Sequence, residues 1–592
     1  MNHRKISLFV ASAIAIMTDQ VYATDIEIAD GTLTVNATVV AGTALRTENP
    51  NPSLLSPANA KAIGLSGISP NGGNGDDGDL NYKRWSQTST ILKGYLDLDY
   101  VNQNYGAHMG IKAWNDFALE NQNVLWGNLP NGYANGTPLS DKGFSSEAKF
   151  NGAELTSMYL YGENEIGEGK VEWKIGEQSW NWGRDFQIGC GLNDLLVRDN
   201  NALVRPGALP EETVIPIPAL RAVYSVTPST SIDMIVQTRF QSNAALGCGT
   251  FYSQVDFVSN GCNQIIVANA ITAPEAISKG FYVTRAGDIK PGNAAQGGIG
   301  IRQDIPSLDS TVGLYLAQFD SRQFFYGTYK STNAIPFLPS NPNNGNPQYA
   351  LEYPGDIRMV GLTYDIERSE GNILAELTYR PDQPYHYNTI DLLNAFVSNT
   401  ASTPLRGLAN STQAGQLFNG YEKMKAVQFN LSATQTFSHL MAADVVTLIG
   451  EFAVKVAPDL PDQSVMRFGR PMFFGSAPIG GAACQSSLTQ MECSNAGYDT
   501  RSSWGYKLRL NFDYPQLVAG VDFDPKISFA QDVRGWSDDG VFSQGRKFAV
   551  IDLKTIYHKS INIDLVWIPT WGGDFNPMSD RSTLGINVGY KF

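Results

Sequence analysis

Short and long connections alternate along the chain, and each separates two segments in which apolar and polar residues alternate. In TSTILKGYLDLDYVN, for example, Leu92, Leu96 and Leu98 alternate with Lys93 and Asp97. A period of two places the two sets on opposite faces of a β-strand. About 18 such segments of roughly 9 to 14 residues follow one another, which is the length that a tilted strand needs to cross a membrane.

The connections favour one architecture. Short ones such as NQNYG and RSEG alternate with long ones such as 118–149, 182–218 and 242–295. This asymmetry is typical of an all-β, transmembrane, up-and-down antiparallel barrel with tight periplasmic turns and long extracellular loops. We predict about 18 strands (16–20), with both ends of the barrel in the periplasm. A soluble all-β protein is the alternative.

The first residues have the pattern of an export signal. Positive charge in MNHRK precedes the apolar run ISLFVASAIAIM, and Val21-Tyr22-Ala23 offers a cleavage site. We predict a signal peptide over residues 1–23 and a single barrel domain over 24–592. The net charge of −14 argues against nucleic acid as a partner.

The last segment, STLGINVGYKF, is similar to the C-terminal recognition strand of Gram-negative outer-membrane proteins. This resemblance implies that the barrel-assembly machinery reads the strand and that the outer-membrane bilayer surrounds it. The cell outer membrane of a Gram-negative bacterium is therefore the expected location. The residues that carry the predicted assembly signal are Leu584, Ile586, Val588, Tyr590 and Phe592.

Five cysteines are present, and four of them form two pairs that are close in sequence. An exported protein meets an oxidising compartment, so we predict the disulfides Cys248–Cys262 and Cys484–Cys493 within their own loops, with Cys190 free. A zinc site is the alternative, but neither a C-x-x-C motif nor histidines at ligand spacing accompany the cysteines.

The segment NGGNGDDGDLN is similar to a calcium-binding loop through Asp77, Asp79 and Asn81. The bidentate glutamate that such a loop requires is missing, and the same residue types are common in tight turns. We therefore favour a turn and predict neither a metal nor a cofactor.

The third long connection has an unusual composition for a surface loop. Its aromatic residues are too apolar to lie in water, and its charged residues are too polar to face lipid. A loop folded into the lumen satisfies both demands and would narrow a wide barrel; the alternative places the aromatic residues in the outer girdle. The predicted constriction and substrate path consists of Trp180, Trp182, Arg184, Phe186, Arg198, Arg205, Glu211 and Glu212.

This region also carries a family resemblance. Gly176, Gln178, Trp182 and Gly183, followed by a proline-rich element, resemble a family of Gram-negative outer-membrane proteins known as domain-of-unknown-function 1302. The proline-rich element consists of Pro206, Gly207, Glu212, Pro216 and Pro218. The resemblance implies a barrel that handles lipids, sterols or other hydrophobic molecules. The family often has an arginine where this chain has Glu177. Any role of that arginine in the family therefore cannot be assigned to this position.

Three functions remain after these observations. We predict an outer-membrane channel or transporter for hydrophobic or lipid-like molecules. The alternatives are a general porin for small polar solutes and a structural or adhesive envelope barrel. Catalysis is not expected, since no G-x-S-x-G motif is present and no histidine lies beside an obvious serine on the lipid face. Proteins of the periplasm or the inner membrane that take part in transport are possible further partners.

Overall fold

The computed structural model describes residues 24–28, 30–183, 186–292, 296–479, 490–537 and 539–592. It contains a closed antiparallel barrel of 18 strands, as the alternating segments predicted. The strands are β1 (Gly31–Arg46), β2 (Gln87–Asn102), β3 (Tyr105–Asp116), β4 (Asn151–Ile166), β5 (Gly169–Gln178), β6 (Ile217–Thr227), β7 (Thr230–Gln237), β8 (Gln296–Ile305), β9 (Ser310–Phe319), β10 (Ile357–Arg368), β11 (Gly371–His386), β12 (Tyr421–Ser438), β13 (Val445–Val456), β14 (Ser502–Val518), β15 (Val521–Arg534), β16 (Lys547–Tyr557), β17 (Ile561–Ile568) and β18 (Thr583–Lys591).

The first and last strands close the barrel. Strand β1 pairs with β18 from Thr38 opposite Lys591 to Arg46 opposite Thr583, and its other edge pairs with β2. The backbone N–H of Phe592 also donates to the carbonyl of Ala37 at 2.9 Å. A short strand, Thr24–Ile28, pairs antiparallel with the start of β1, and Thr570–Trp571 pairs with β16.

Side chains alternate between the outer surface and the interior. Leu92 is 38% exposed whereas Lys93 is 3% exposed, and Leu377 and Glu376 show the same contrast at 40% and 2%. The outward residues form an apolar band around the barrel, which matches a lipid-facing surface. Ile586 and Val588 of β18 belong to this band.

The long connections fold into a cap on one end of the barrel. Five short strands form a sheet in the order Gln264–Ile266, Tyr282–Arg285, Gln348–Glu352, Phe325–Tyr329 and Leu417–Phe418. Short helices lie in the long connections, and three of them, Gly191–Leu195, Asn200–Val204 and Pro210–Thr213, belong to the connection between β5 and β6, which enters the barrel. The others are Pro52–Leu54, Pro57–Ala62, Gly72–Asn74, Asp77–Asn81, Phe117–Asn121, Leu129–Asn131, Ser146–Ala148, Ala273–Ser278, Thr389–Val397, Arg406–Ser411, Met472–Phe474 and Gln490–Cys493. Pro306–Leu308 is a helical turn at the opposite end. Among the described residues, no helix is both long and apolar enough to cross a membrane.

The cap contains a disulfide between Cys248 and Cys262, with an S–S distance of 2.00 Å. Cys493 is also disulfide-bonded, while Cys484 lies outside the described residues. Cys190 is a free, buried cysteine.

Peptide tags test the orientation of the barrel. A tag at Lys142, in a long connection, is expected to be cleaved by protease on intact cells, because long connections face the exterior. A tag at Glu370, in the turn between β10 and β11, should be cleaved only after the outer membrane is permeabilised. The opposite labelling pattern would show that the barrel is inserted the other way round.

Candidate functional site

The connection between β5 and β6, residues 179–216, turns into the barrel interior; we call it the inner loop. Trp180 and Trp182 are 1% and 4% exposed and pack against wall residues that include Tyr315 and Met359. The indole Nε1 of Trp182 donates to Asp233 Oδ2 at 2.8 Å. The predicted inward folding is therefore seen, and these indoles are absent from the outer girdle.

The position of the tryptophans corrects one expectation. The sequence predicted that Trp180 and Trp182 would line the path of a solute. Both lie instead in the packing between the inner loop and the wall, where apolar side chains of the wall strands cover the two indole rings. Phe186, at 8% exposed, is also packed.

The inner loop crosses the lumen and is held on the far wall by carboxylates. Glu451 of β13 accepts hydrogen bonds from the backbone N–H groups of Gln187 and Ile188 at 2.7 and 2.6 Å. Glu376 of β11 accepts from the backbone N–H of Leu192 at 2.9 Å. Charged acceptors bind amides more strongly than neutral ones do, so these wall residues fix the loop across the opening.

The returning half of the inner loop is held on the near wall by ion pairs. Lys93 of β2 lies 2.6 Å from Glu212, and Lys112 of β3 lies 2.5 Å from Asp199. The guanidinium of Arg205 lies 4.2 Å from the ring centre of Trp114 and donates to a backbone carbonyl. Glu212 and Arg205 are thus positioning residues of the loop.

The other predicted residues of the constriction differ in their surroundings. Glu211 is exposed, and Arg198 is half-buried, with its backbone bridged to Val214. Arg184 lies outside the described residues.

Two cavities, each of about 860 Å³, lie on either side of the inner loop. The inner cavity is bounded by β1, β15–β18 and residues 203–210. The outer cavity lies between the inner loop and the cap. Both cavities are lined by Leu203, Arg546 and Met578, so these three residues mark their junction. Leu203 is 57% exposed there, although it is apolar.

Basic residues outnumber acidic ones in the lining of both cavities, although the chain as a whole has a net charge of −14 and although Arg546 and Arg581 are paired with aspartates outside the lining. The lining of the inner cavity includes six basic residues and two acidic ones, Asp552 and Asp564. Lys526 and Lys554 stand opposite these two aspartates in the strand register. Among the described residues, neither lysine forms an ion pair. The basic residues of the inner cavity are Arg205, Lys526, Arg546, Lys547, Lys554 and Arg581.

The outer cavity has six basic and three acidic lining residues. One acid, Asp539, forms an ion pair with Lys455 of β13. Burial alone would raise the pKa of the Asp539 carboxyl, but Lys455 holds that pKa at about 2. Cys190 donates from Sγ to the same carboxylate at 3.3 Å. The apolar part of this lining contains aliphatic and aromatic side chains, and the aromatic ones include Phe324 and Phe325.

A buried ion cluster fixes the outer end of β1. The guanidinium of Arg46 lies 2.9 Å from Asp79 and 2.7 Å from Asp580, and Arg581 pairs with the same two carboxylates. Phe251 covers both guanidinium groups. Asp79 is therefore bound by arginines, and the amide of Asn81 is hydrogen-bonded to backbone groups. The trio Asp77, Asp79 and Asn81 suggested by the sequence does not form one ligand set.

Sequence reasoning missed a contact inside the lumen. Ser157 Oγ lies 2.9 Å from His108 Nε2, and Asp99 lies 3.4 Å from His108 Nδ1. Asp97 also approaches Nε2, at 3.3 Å, so it competes with Ser157 for the same nitrogen. This geometry is that of a shared polar network, since a catalytic base must direct that nitrogen at the nucleophile.

One comparison with known proteins identifies a family. A family model described as "Protein of unknown function (DUF1302)" matches residues 4–592. None of the curated proteins matches the chain.

Solved structures with similarity to this chain include three bacterial proteins. DcaP of Acinetobacter baumannii, described as an outer membrane channel, is 9% identical, covers 96% of this chain and 100% of its own, and has a TM-score of 0.36. OccAB3 of Acinetobacter baumannii is 9% identical over 95% and 100%, with a TM-score of 0.41. A BenF-like porin of Pseudomonas fluorescens is 10% identical over 95% and 98%, with a TM-score of 0.39.

Proposed function

We propose that this chain, which belongs to the DUF1302 family of proteins of unknown function, is an outer-membrane channel for small solutes that combine a negative charge with an apolar part. The observation that carries the proposal is the pair of basic cavities joined at Leu203, Arg546 and Met578. A leader over residues 1–23 would export the chain, and the barrel-assembly machinery would insert it.

The charge of the lining favours an anion. A lumen of low-dielectric walls with one sign of charge in excess concentrates solutes of the opposite sign. Lys526, Lys547 and Lys554 contribute to that excess in the inner cavity, and none of the three forms an ion pair among the described residues. An excess of basic residues in the lining favours a channel that is selective for anions.

The apolar part of the solute follows from the aromatic lining and from Leu203. An exposed leucine at the junction and aromatic side chains in the outer cavity can hold an apolar group. A wholly apolar lipid would have to displace water from the lysines without offering them a counter-charge, which is unfavourable. We therefore place lipid-like cargo second.

Charge reversal in the inner cavity tests the proposal. The double substitution Lys526→Glu and Lys554→Glu is expected to turn an anion-selective channel into a cation-selective one, because both ammonium groups become carboxylates. The reversal potential in planar bilayers under a salt gradient should change sign. The neutral pair Lys526→Gln and Lys554→Gln should give an intermediate value.

A matched control is Lys142→Glu, which changes the same charge on an exposed residue outside both cavities. Its reversal potential is expected to stay near that of the wild type. A wild-type channel without preference for anions, or a double variant that keeps the wild-type preference, would contradict the proposal.

A further inference from the structure

Three aspartates from two distant connections meet in the cap. Asp76 and Asp77 belong to the first long connection, and Asp256 belongs to the fourth. One carboxylate oxygen of each lies within 4.8 Å of those of the other two. Their exposed fractions are 0%, 1% and 6%, so the cluster is shielded from solvent.

The hydrogen bonds of this cluster leave two oxygens without a partner. Asp76 accepts at both oxygens, from the backbone N–H of Ser56 at 2.8 Å and from the Asn59 side chain at 3.0 Å. Asp77 accepts at Oδ1 from Trp126 Nε1 at 2.8 Å, and Asp256 accepts at Oδ2 from the Asp77 backbone N–H at 3.2 Å. Within the described ranges, Asp77 Oδ2 and Asp256 Oδ1 have no hydrogen-bond partner.

The charges of the cluster are also uncompensated. The neighbouring Asp79 is neutralised by two arginines, whereas Asp76, Asp77 and Asp256 form no ion pair with any described residue. Burial, followed by repulsion from Asp256, raises the pKa of the Asp76 and Asp77 carboxyls well above their usual range. Burying an ion without a partner is unfavourable in a folded protein. A bound cation would remove that cost.

We propose that Asp76, Asp77 and Asp256 bind a calcium ion that joins the first and fourth outer connections. Calcium is bound by oxygen ligands at about 2.3–2.6 Å in flexible geometries, and the two unpartnered oxygens offer it direct ligands. Magnesium requires near-ideal octahedral geometry and is expected to bind more weakly. None of the three residues lines either cavity, so this site is separate from the proposed channel.

The proposed calcium site lies where three outer connections contact one another. Asn59, which donates to Asp76, also accepts from the backbone N–H of Ala273 in the fourth connection at 2.9 Å. Trp126, which donates to Asp77, comes from the second connection. Calcium would hold these segments together, and its removal would loosen the cap while the barrel stays paired.

Terbium luminescence offers a direct test, because Trp126 lies next to the proposed site and can sensitise a bound lanthanide. The full-length barrel, purified in detergent and stripped with EDTA, is titrated with Tb³⁺ under tryptophan excitation. We expect saturable emission that Ca²⁺ displaces at lower concentration than Mg²⁺. Trp126→Phe should reduce this emission while preserving the effect of calcium described next.

Protease resistance of the cap gives a readout that does not depend on a variant. For the wild type, the cap connections should be cleaved several-fold faster in EDTA than in calcium. Absence of terbium emission together with equal cleavage in EDTA and calcium would overturn the proposal.

Two near-isosteric substitutions localise the site. Asp77→Asn and Asp256→Asn keep the oxygen that accepts the known hydrogen bond and remove one charge. Each is expected to weaken terbium and calcium binding by at least about ten-fold, because the number of charged ligands sets the affinity. The control Glu275→Gln removes an exposed carboxylate from the same fourth connection. Equal affinities for all three variants and the wild type would show that the ion binds elsewhere.

Discussion

Deletion of residues 186–213, with a short Gly-Ser link in their place, is expected to raise single-channel conductance several-fold. This segment carries the contacts with Glu451, Glu376 and Lys93 that hold the inner loop across the lumen. Without it, an 18-stranded wall would enclose a wide aqueous channel. The strand pairing of the barrel lies outside the deleted residues, so the barrel should still assemble. Discrimination between solutes should fall as conductance rises.

The measurement is conductance of the refolded barrel in planar bilayers, together with heat-modifiable migration on gels as the sign of assembly. Removal of residues 332–345, which form the tip of a cap hairpin outside both cavities, is the matched control and should leave conductance unchanged. If an assembled 186–213 deletion conducts like the wild type, the inner loop is not the constriction.

Asp79→Asn is expected to destabilise the protein by about 3 kcal/mol or more, because removing one partner leaves a buried charge uncompensated. Arg46, Arg581 and Asp79 are all fully buried, so water cannot replace the missing carboxylate. After the substitution, Asp580 would face both guanidinium groups alone. The free energy of unfolding can be measured by urea titration of the barrel in phospholipid vesicles, in the presence of calcium.

The exposed ion pair between Lys425 and Asp459 is the control for the loss of stability expected in Asp79→Asn. These residues lie 3.3 Å apart, and their side chains are 51% and 45% exposed. Asp459→Asn should therefore cost less than about 1 kcal/mol, as exposed ion pairs generally do. Similar losses for Asp79→Asn and Asp459→Asn would mean that the buried cluster is not a major source of stability.

Local periodicity explains why the barrel could be predicted. The segment expected over residues 88–102 corresponds to β2, Gln87–Asn102, because Leu92 and Lys93 must face opposite sides of a strand wherever it lies. The predicted third long connection, 182–218, ran two residues into β6, which begins at Ile217. Proline at positions 216 and 218 obscured that boundary, since proline is rare within strands.

Contacts between distant segments could not be predicted in this way. Glu451 binds Gln187, which is 264 residues away, and Asp256 meets Asp77 across 179 residues. A single sequence contains no signal that relates such positions, because each residue is locally compatible with many partners. The composition of the inner loop indicated that its apolar side chains are buried. Which of them are buried depends on the surrounding wall: Trp180 is buried, whereas Leu203 remains exposed.

The pairing of β1 with β18 has a consequence for the timing of biogenesis. Thr38 and Lys591 are neighbours in the barrel although all the other barrel strands lie between β1 and β18 in the sequence. A growing chain therefore carries an unpaired edge on β1, which is a template for aggregation, until β18 has been made. Closing so long a chain segment is entropically unfavourable and slow. The edge of β1 is therefore open to a wrong partner until β18 has been made and has paired with it.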